Sequence, residues 1–355
     1  MSYLTKHQGE LSIADVCYTS TARRSLQSYR LSTTASSIKT LIENLKDAQI
    51  LEAPDTPRDT VFLFSGQGSQ YMGMGGKLMD LCPKFRSTVH RCHQLLLEWG
   101  LPSCLDVIQP EKERSHQTKD PIILQALQTG VFVLEVAVSQ ILMDVGIRPS
   151  VVSGHSLGEY AALVTAGVLD LESGLWLVAQ RARLIISSCK LWDTSMLAVN
   201  TSASQVQQDF LSRSEFADLS IACENSPGDC VVGGDRQKLL LLKEHISRHG
   251  RRSTMLNVPL AYHTAALDQV AEDVRQMASE ICIATPTIPI TSNVFGRVVQ
   301  PGEQVFTPEY FSQHCRRTVA FDSGLDDILR QHHNLLRGRW IETGPHPVLL
   351  PMVRP

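Results

Sequence analysis

A chain of 355 residues is long enough for two or three domains with cores of their own. Its 43% hydrophobic and 19% charged residues are those of an ordinary soluble globular protein. A formal net charge of −3 gives no ground for a nucleic-acid or anionic-membrane partner.

The N-terminus, Met1-Ser2-Tyr3-Leu4-Thr5-Lys6-His7, lacks the apolar core of a signal peptide. Residues 1–58 read as a separate piece. Residues 13–31 carry Cys17-Tyr18-Thr19-Ser20-Thr21-Ala22-Arg23-Arg24, residues 35–48 read as an amphipathic helix, and residues 52–58 form a linker with Pro54 and Pro57. A piece of this size is marginal for an independent core, so it is expected to pack on the main body or belong to a larger neighbour.

The main body opens at Thr60-Val61-Phe62-Leu63-Phe64, a continuous apolar run typical of a strand buried on both faces. A glycine-rich loop follows, from Gly66 to Gly73. Residues 122–145 form the clearest helix, with Leu124, Leu127, Val131, Leu134, Val138, Ile141 and Val145 on one face and Gly146 and Pro149 ending it. Gln125, Gln128, Glu135, Gln140 and Asp144 interrupt that stretch, which therefore reads as a core helix and not as a membrane span. Residues 149–153 read as a short buried strand and Glu159 onward as a helix. Strand, helices and strand argue for an α/β fold with a mostly parallel sheet.

The rhythm changes over residues 190–256. Met196 to Val199 reads as a strand and 202–211 as a helix. Residues 219–223 and 230–232 pair as a hairpin across Asn225-Ser226-Pro227-Gly228-Asp229. Asp235 caps a helix running to His249 with Gly250 beyond it, and Thr254-Met255-Leu256 closes the unit. The order β-α-β-β-α-β is that of a ferredoxin-like insert. The chain returns to the main fold at 257–355, through Val258-Pro259-Leu260-Ala261-Tyr262-His263, and reaches Trp340-Ile341-Glu342-Thr343-Gly344-Pro345-His346, a strand entering a turn. The expected segments are thus 1–58, 59–189, 190–256 and 257–355. Nine cysteines without a C-x-x-C pair support neither a disulfide framework nor a zinc site and point to a reducing cytosol.

Between the second strand and its helix stands Gly154-His155-Ser156-Leu157-Gly158. A strand that turns sharply into a helix through two glycines pushes a serine Oγ into a cleft. The Leu157 N–H then sits at a helix N-terminus, where an oxyanion can be held. Ser156 is the candidate nucleophile. The loop after the first strand is no nucleotide cradle, because both dinucleotide and P-loop patterns need glycine where Tyr71 stands. Gln67 in that loop is a candidate for an oxyanion or acyl contact, with a solvated loop glutamine as the equal alternative.

A serine hydroxyl needs a general base. Among twelve histidines, His263 and His346 are equal candidates by position, and His155 is expected to pack beneath the elbow. Arg181 and Arg183, two apart on a helix, cannot share a face. One can reach the cleft, either to clamp a substrate carboxylate or to form a salt bridge within the protein.

Taken together, Phe64-Ser65-Gly66-Gln67-Gly68-Ser69-Gln70, Gly154 to Leu163, Gln180-Arg181-Ala182-Arg183-Leu184, Ala261-Tyr262-His263 and Glu342-Thr343-Gly344-Pro345-His346-Pro347 resemble the malonyl-CoA:acyl carrier protein transacylase family. The resemblance is closer to the acyltransferase domain of fungal non-reducing polyketide synthases, and Asp15 to Arg24 resembles part of the linker between ketosynthase and acyltransferase. It implies an α/β-hydrolase-like large subdomain with a parallel sheet plus the inserted ferredoxin-like small subdomain. It also implies that Ser156 takes the acyl group and that His263, favoured over His346, is its base. Gln67 and the Leu157 N–H then form the oxyanion hole, and Arg181 grips the free carboxylate of malonyl. Tyr262 stands where members accepting plain malonyl carry a bulky aromatic, while Leu260 departs from the histidine common in bacterial malonyl-type domains.

A backbone carbonyl orients the family's histidine, and the stretch Val319-Ala320-Phe321 is the candidate here. Malonyl-CoA is the implied substrate, with no permanent cofactor and no metal. The implied partners are an acyl carrier protein bearing phosphopantetheine, the ketosynthase and other domains of a larger synthase, from which the chain, starting at Met1 and stopping at Arg354-Pro355, looks excised. A serine thioesterase or lipase and a catalytically silent docking module are the rival readings. A starter-unit acyltransferase fits less well, since that type often carries cysteine at the elbow.

Overall fold

The computed structural model describes residues 1–53, 58–110 and 119–353. The prolines of the expected linker, Pro54 and Pro57, and the terminal Arg354-Pro355 lie outside the described residues. The chain divides into two compact units, Met1–Arg58 and Asp59–Pro355.

In the first unit, Ser12 caps the helix Ile13–Ala22 and Ser37 caps the helix Ile38–Asp47. The second helix starts later than the periodicity suggests, because the Ser37 hydroxyl accepts the Thr40 N–H and fixes the first turn there. Its buried residues are Ile38, Leu41 and Ile42, three and four apart on one face. Tyr29–Arg30 and Leu51–Glu52 pair as a short antiparallel ribbon.

The second unit opens with β1 (Thr60–Phe64), buried at every position. Helix α1 (Pro83–Glu98) and helix α2 (Pro121–Asp144) follow, then β2 (Val151–Gly154), α3 (Gly158–Thr165) and α4 (Leu171–Ser188). Helix α2 is long and apolar enough to cross a membrane, yet 72% of its most apolar window is buried inside this protein. It packs on α1, α3 and α4, and Gly146, at φ +87°, turns the chain away after its end. After the insert come α6 (Asp268–Ala278), β7 (Ile290–Ser292), β8 (Arg297–Val299), α7 (Pro308–Arg316), β9 (Val319–Ala320), α8 (Phe321–Gln331) and β10 (Arg339–Glu342).

The main sheet runs β10-β1-β2-β7-β8, parallel except for the edge strand β8. Phe64 is in register with Gly154, so the loops after β1 and β2 leave the sheet side by side at its carboxyl edge. That edge is where ligands bind in open α/β sheets.

The insert contains β3 (Thr194–Val199), β4 (Ser220–Ser226), β5 (Asp229–Asp235), α5 (Arg236–Arg248) and β6 (Ser253–Met255). Its strands lie in the order β4-β5-β3-β6, a ferredoxin-like arrangement extended by β9 alongside β4. The Asp235 carboxylate accepts the Gln237 and Lys238 N–H groups, and Gly250 at φ +72° follows the end of α5. Several boundaries differ from the sequence expectation, two of them with structural consequences. The helix over 202–211 is a short α-turn, Ala203–Val206, continued as a π-turn, Gln207–Leu211. The hairpin turn shrinks to Pro227-Gly228, because Ser226 pairs with Asp229 and Asn225 stays within the strand at the register shift between Glu224 and Ser226. There the Asn225 amide donates to the Asp229 carboxylate at 2.9 Å and its Oδ1 faces His155 Nε2 at 2.9 Å.

Candidate active site

The elbow is built from close backbone approach. A Cβ on Gly158 would lie 2.1 Å from the Phe64 carbonyl oxygen, and one on Gly154 would lie 2.4 Å from Glu159 Cα. Side chains at either position would push the helix off the sheet. Ser156 is thereby held at φ +53°. Among the described residues, only three non-glycines adopt positive φ, and His263 at +61° is another. Such conformations cost about 1–3 kcal/mol each and persist only where the surroundings over-determine them. Their coincidence at these two residues marks the site.

Ser156 Oγ lies 2.6 Å from His263 Nε2, and His263 Nδ1 lies 3.0 Å from the His314 carbonyl oxygen. A carbonyl only accepts, so Nδ1 carries the proton and Nε2 is free to receive one from the serine. Burial, with the charges of His314, Arg181 and His155 added, holds the His263 pKa well below its ordinary value. The imidazole is therefore neutral at physiological pH, as a base must be.

The orienting carbonyl is not in the stretch 319–321. Val319 and Ala320 pair with Cys223 and Glu224 of the insert sheet. His314 stands in the last turn of α7, where carbonyls have no intrahelical N–H partner, so its oxygen is available. His346 lies on an exposed turn with its ring 5.9 Å from that of Tyr71. The Glu342 carboxylate pins that turn by accepting the N–H groups of Val348, Leu349 and Leu350. His155 packs beneath the elbow, edge-on to Phe321.

Leu157 immediately precedes α3, among the N–H groups that no helix carbonyl satisfies. The glycine-rich loop comes close to it, since a Cβ on Gly66 would lie 2.4 Å from the His155 carbonyl oxygen. Gln67 Nε2 donates to Tyr262 Oη at 3.2 Å, tying the loop to the residue beside His263.

Arg181 is 1% exposed, whereas Arg183 faces solvent. Its Nε donates to Cys315 Sγ at 3.3 Å and its Nη1 to Gln128 Oε1 at 3.2 Å. The rings of Tyr160 and Tyr262 lie 6.0 and 5.9 Å from Cζ. No carboxylate pairs with it among the described residues. A fully buried guanidinium held only by neutral groups is a cation awaiting an anion.

Four contributors escaped the sequence reading. Gln128 and Glu135 were visible as polar residues in an apolar helix, and each is buried for a reason. Gln128 holds Arg181, while Glu135 accepts from Ser65, whose hydroxyl is paired with that of Ser69 beneath the Gln67 loop. Glu159 was visible as an acid opening an apolar helix. It is fully buried, accepts from Tyr310 Oη and from the Asn293 N–H at 3.0 Å, and lies 3.5 Å from His314 Nε2. Asn293 gave no sequence signal.

Residues 61–354 match the family of acyl transferase domains, and residues 1–45 match a CurL-like polyketide synthase C-terminal segment. The orsellinic acid synthase of Beauveria bassiana is 47% identical over 354 residues, which is 97% of this chain and 16% of that protein. The chain thus spans about a sixth of the length of the curated relatives it matches. Among solved structures, the acyl transferase domain of SpnD in complex with 2-(pent-4-yn-1-yl)malonyl superposes with a TM-score of 0.84 at 30% identity, covering 99% of this chain and 81% of that one. A malonyl CoA-acyl carrier protein transacylase from Burkholderia pseudomallei gives 0.70 at 27%, covering 83% of this chain and 97% of that one.

Proposed function

Because the chain belongs to the acyl transferase domain family, we propose that it moves a malonyl group from malonyl-CoA, through an ester on Ser156, to the phosphopantetheine thiol of an acyl carrier protein. The observation that carries the acyl choice is the buried Arg181, which no carboxylate among the described residues pairs. The hydrogen-bonded Ser156 and His263 carry the chemistry.

His263 Nε2 takes the Ser156 proton as Oγ attacks the thioester carbonyl. The oxyanion is stabilised by the Leu157 N–H and by Gln67. Its collapse breaks the C–S bond, and the leaving CoA sulfur receives the proton from His263. In the second half the pantetheine thiol gives its proton to His263 and attacks the ester. Collapse returns the proton to Ser156 Oγ and leaves the malonyl group on the carrier. His314 needs only to keep the imidazole in one tautomer, so no acidic third member is required.

The domain is proposed to work within a polyketide synthase, with residues 1–58 as part of its ketosynthase–acyltransferase linker. The nine cysteines are all free, which fits the cytosol.

Intact-protein mass spectrometry after brief exposure to malonyl-CoA should show one malonyl ester. It should map to the elbow peptide and be cleared by carrier protein bearing phosphopantetheine. CoA release with no adduct would indicate a hydrolase, and neither adduct nor CoA would indicate a silent docking module.

Tyr262 closes the space next to Arg181 and is itself almost fully buried. Tyr262→Ser should raise loading of methylmalonyl relative to malonyl by about tenfold, the scale on which one methyl group is discriminated. Competition between the two thioesters, read by mass, checks it. An unchanged ratio would leave selectivity to other residues.

A further inference from the structure

We propose that Asn293 is a positioning residue that locks the Ser156 elbow in its reactive conformation. It follows β7, the strand beside β2, so it reaches the elbow from the neighbouring strand end. Its side chain is 2% exposed and brackets the nucleophile. Oδ1 accepts the Ser156 N–H at 2.7 Å, and Nδ2 donates to the Gly154 carbonyl at 2.7 Å. The opposite amide orientation would set donor against donor and acceptor against acceptor, so these contacts fix the assignment.

The backbone of Asn293 is held as firmly as its side chain. Its N–H donates to the Glu159 carboxylate at 3.0 Å, and its carbonyl accepts the Ala320 N–H at 2.9 Å. Glu159 belongs to the helix that the elbow starts, and Ala320 ends β9, the strand after α7, whose His314 orients the base. One residue therefore ties the strand before the nucleophile, the helix after it and the segment beside its base. A serine N–H that must sit at positive φ finds its acceptor here, and nothing in the elbow's own backbone offers a substitute. Asn293 touches none of the reacting atoms and acts by placing Ser156 Oγ on His263 Nε2. Only an amide serves both contacts. Alanine supplies neither, and a carboxylate faces the Gly154 carbonyl with a second acceptor.

This inference rests on the proposed acyl transfer, and two reagents separate them. Acylation by malonyl-CoA depends on Arg181, whereas a fluorophosphonate probe needs the Ser156–His263 pair and the oxyanion donors but carries no carboxylate for Arg181. Asn293→Ala, checked for folding by circular dichroism, should lose about 100-fold in kcat for acylation while KM for malonyl-CoA stays within about threefold. Fluorophosphonate labelling of Ser156 should slow by a similar factor. Asn293→Asp, which keeps the acceptor for Ser156 and loses the donor to Gly154, should lose less in both assays and decides the matter if the alanine variant does not fold. Near wild-type rates in a folded variant would overturn the proposal, as would a loss matching its unfolded fraction. Wild-type protein that reacts with the probe but never with malonyl-CoA would sink the acyl-transfer reading, leaving the probe rates of the variants to decide on Asn293.

Discussion

His263→Ala should slow formation of the Ser156 ester by about 10²- to 10⁴-fold, the contribution of a positioned general base, and Ser156→Ala should abolish it. The expectation follows from the single hydrogen bond between Oγ and Nε2 and from the neutral, tautomer-fixed imidazole. Rapid-quench mass spectrometry with malonyl-CoA gives the rate for each variant. A His263→Ala protein acylated as fast as wild type would show that another group takes the proton.

The pH profile carries the same information. Because burial depresses the His263 pKa, the imidazole stays unprotonated as pH falls through its ordinary value of 6.5. Acylation should therefore remain level from about pH 8 to below about pH 6.5, where an unperturbed histidine would already have lost half its activity. Stability moves oppositely. In the unfolded chain this histidine takes up a proton near pH 6.5, while the folded protein resists it. The resulting stabilisation is fully present above that value and is lost as pH falls from there toward the folded pKa. His155, lowered mainly by burial, adds to the same trend. Thermal midpoints of wild type and His263→Ala between about pH 8 and 5 should converge on acidification.

Arg181→Ala should shift the ratio of malonyl to acetyl loading toward acetyl by about 30- to 5,000-fold, from the roughly 2–5 kcal/mol that a buried, hydrogen-bonded charge pair loses when one member is removed. Acetyl loading itself should hold or rise, since wild type must leave the guanidinium unpaired when an acetyl group enters. Arg181→Met should show the same shift without a large fall in thermal midpoint, because an apolar side chain of similar size relieves a buried charge that no carboxylate among the described residues pairs. Competitive loading of the two thioesters, read on the intact protein, measures the ratio. An unchanged ratio in a folded variant would remove Arg181 from substrate selection.

Local order carried much of the fold into the sequence. Thr60–Phe64 was legible because a strand buried on both faces has no polar alternation, and Arg236–Arg248 because Asp235 and Gly250 sit at its ends. The elbow was legible because its geometry demands two glycines within five residues. The fate of Asn225 was hidden, since a loop-like residue is drawn into a strand by His155, 70 positions away in sequence. The orienting carbonyl was hidden for a related reason, because every residue has one and only the place where α7 stops leaves that of His314 unpaired.

By itself, then, the sequence determined the α/β order, the ferredoxin-like insert, the serine on its turn and the family resemblance that singles out His263 and Arg181. These depend on neighbours in the chain or on motifs short enough to read. The tertiary structure decided which carbonyl meets His263 Nδ1, that no carboxylate among the described residues pairs with Arg181, and that Asn293 and Glu159 hydrogen-bond around the elbow. Each of those depends on residues dozens to more than a hundred positions apart meeting at one sheet edge, and hydrogen bonding and burial act through distance in space, which a linear chain does not display.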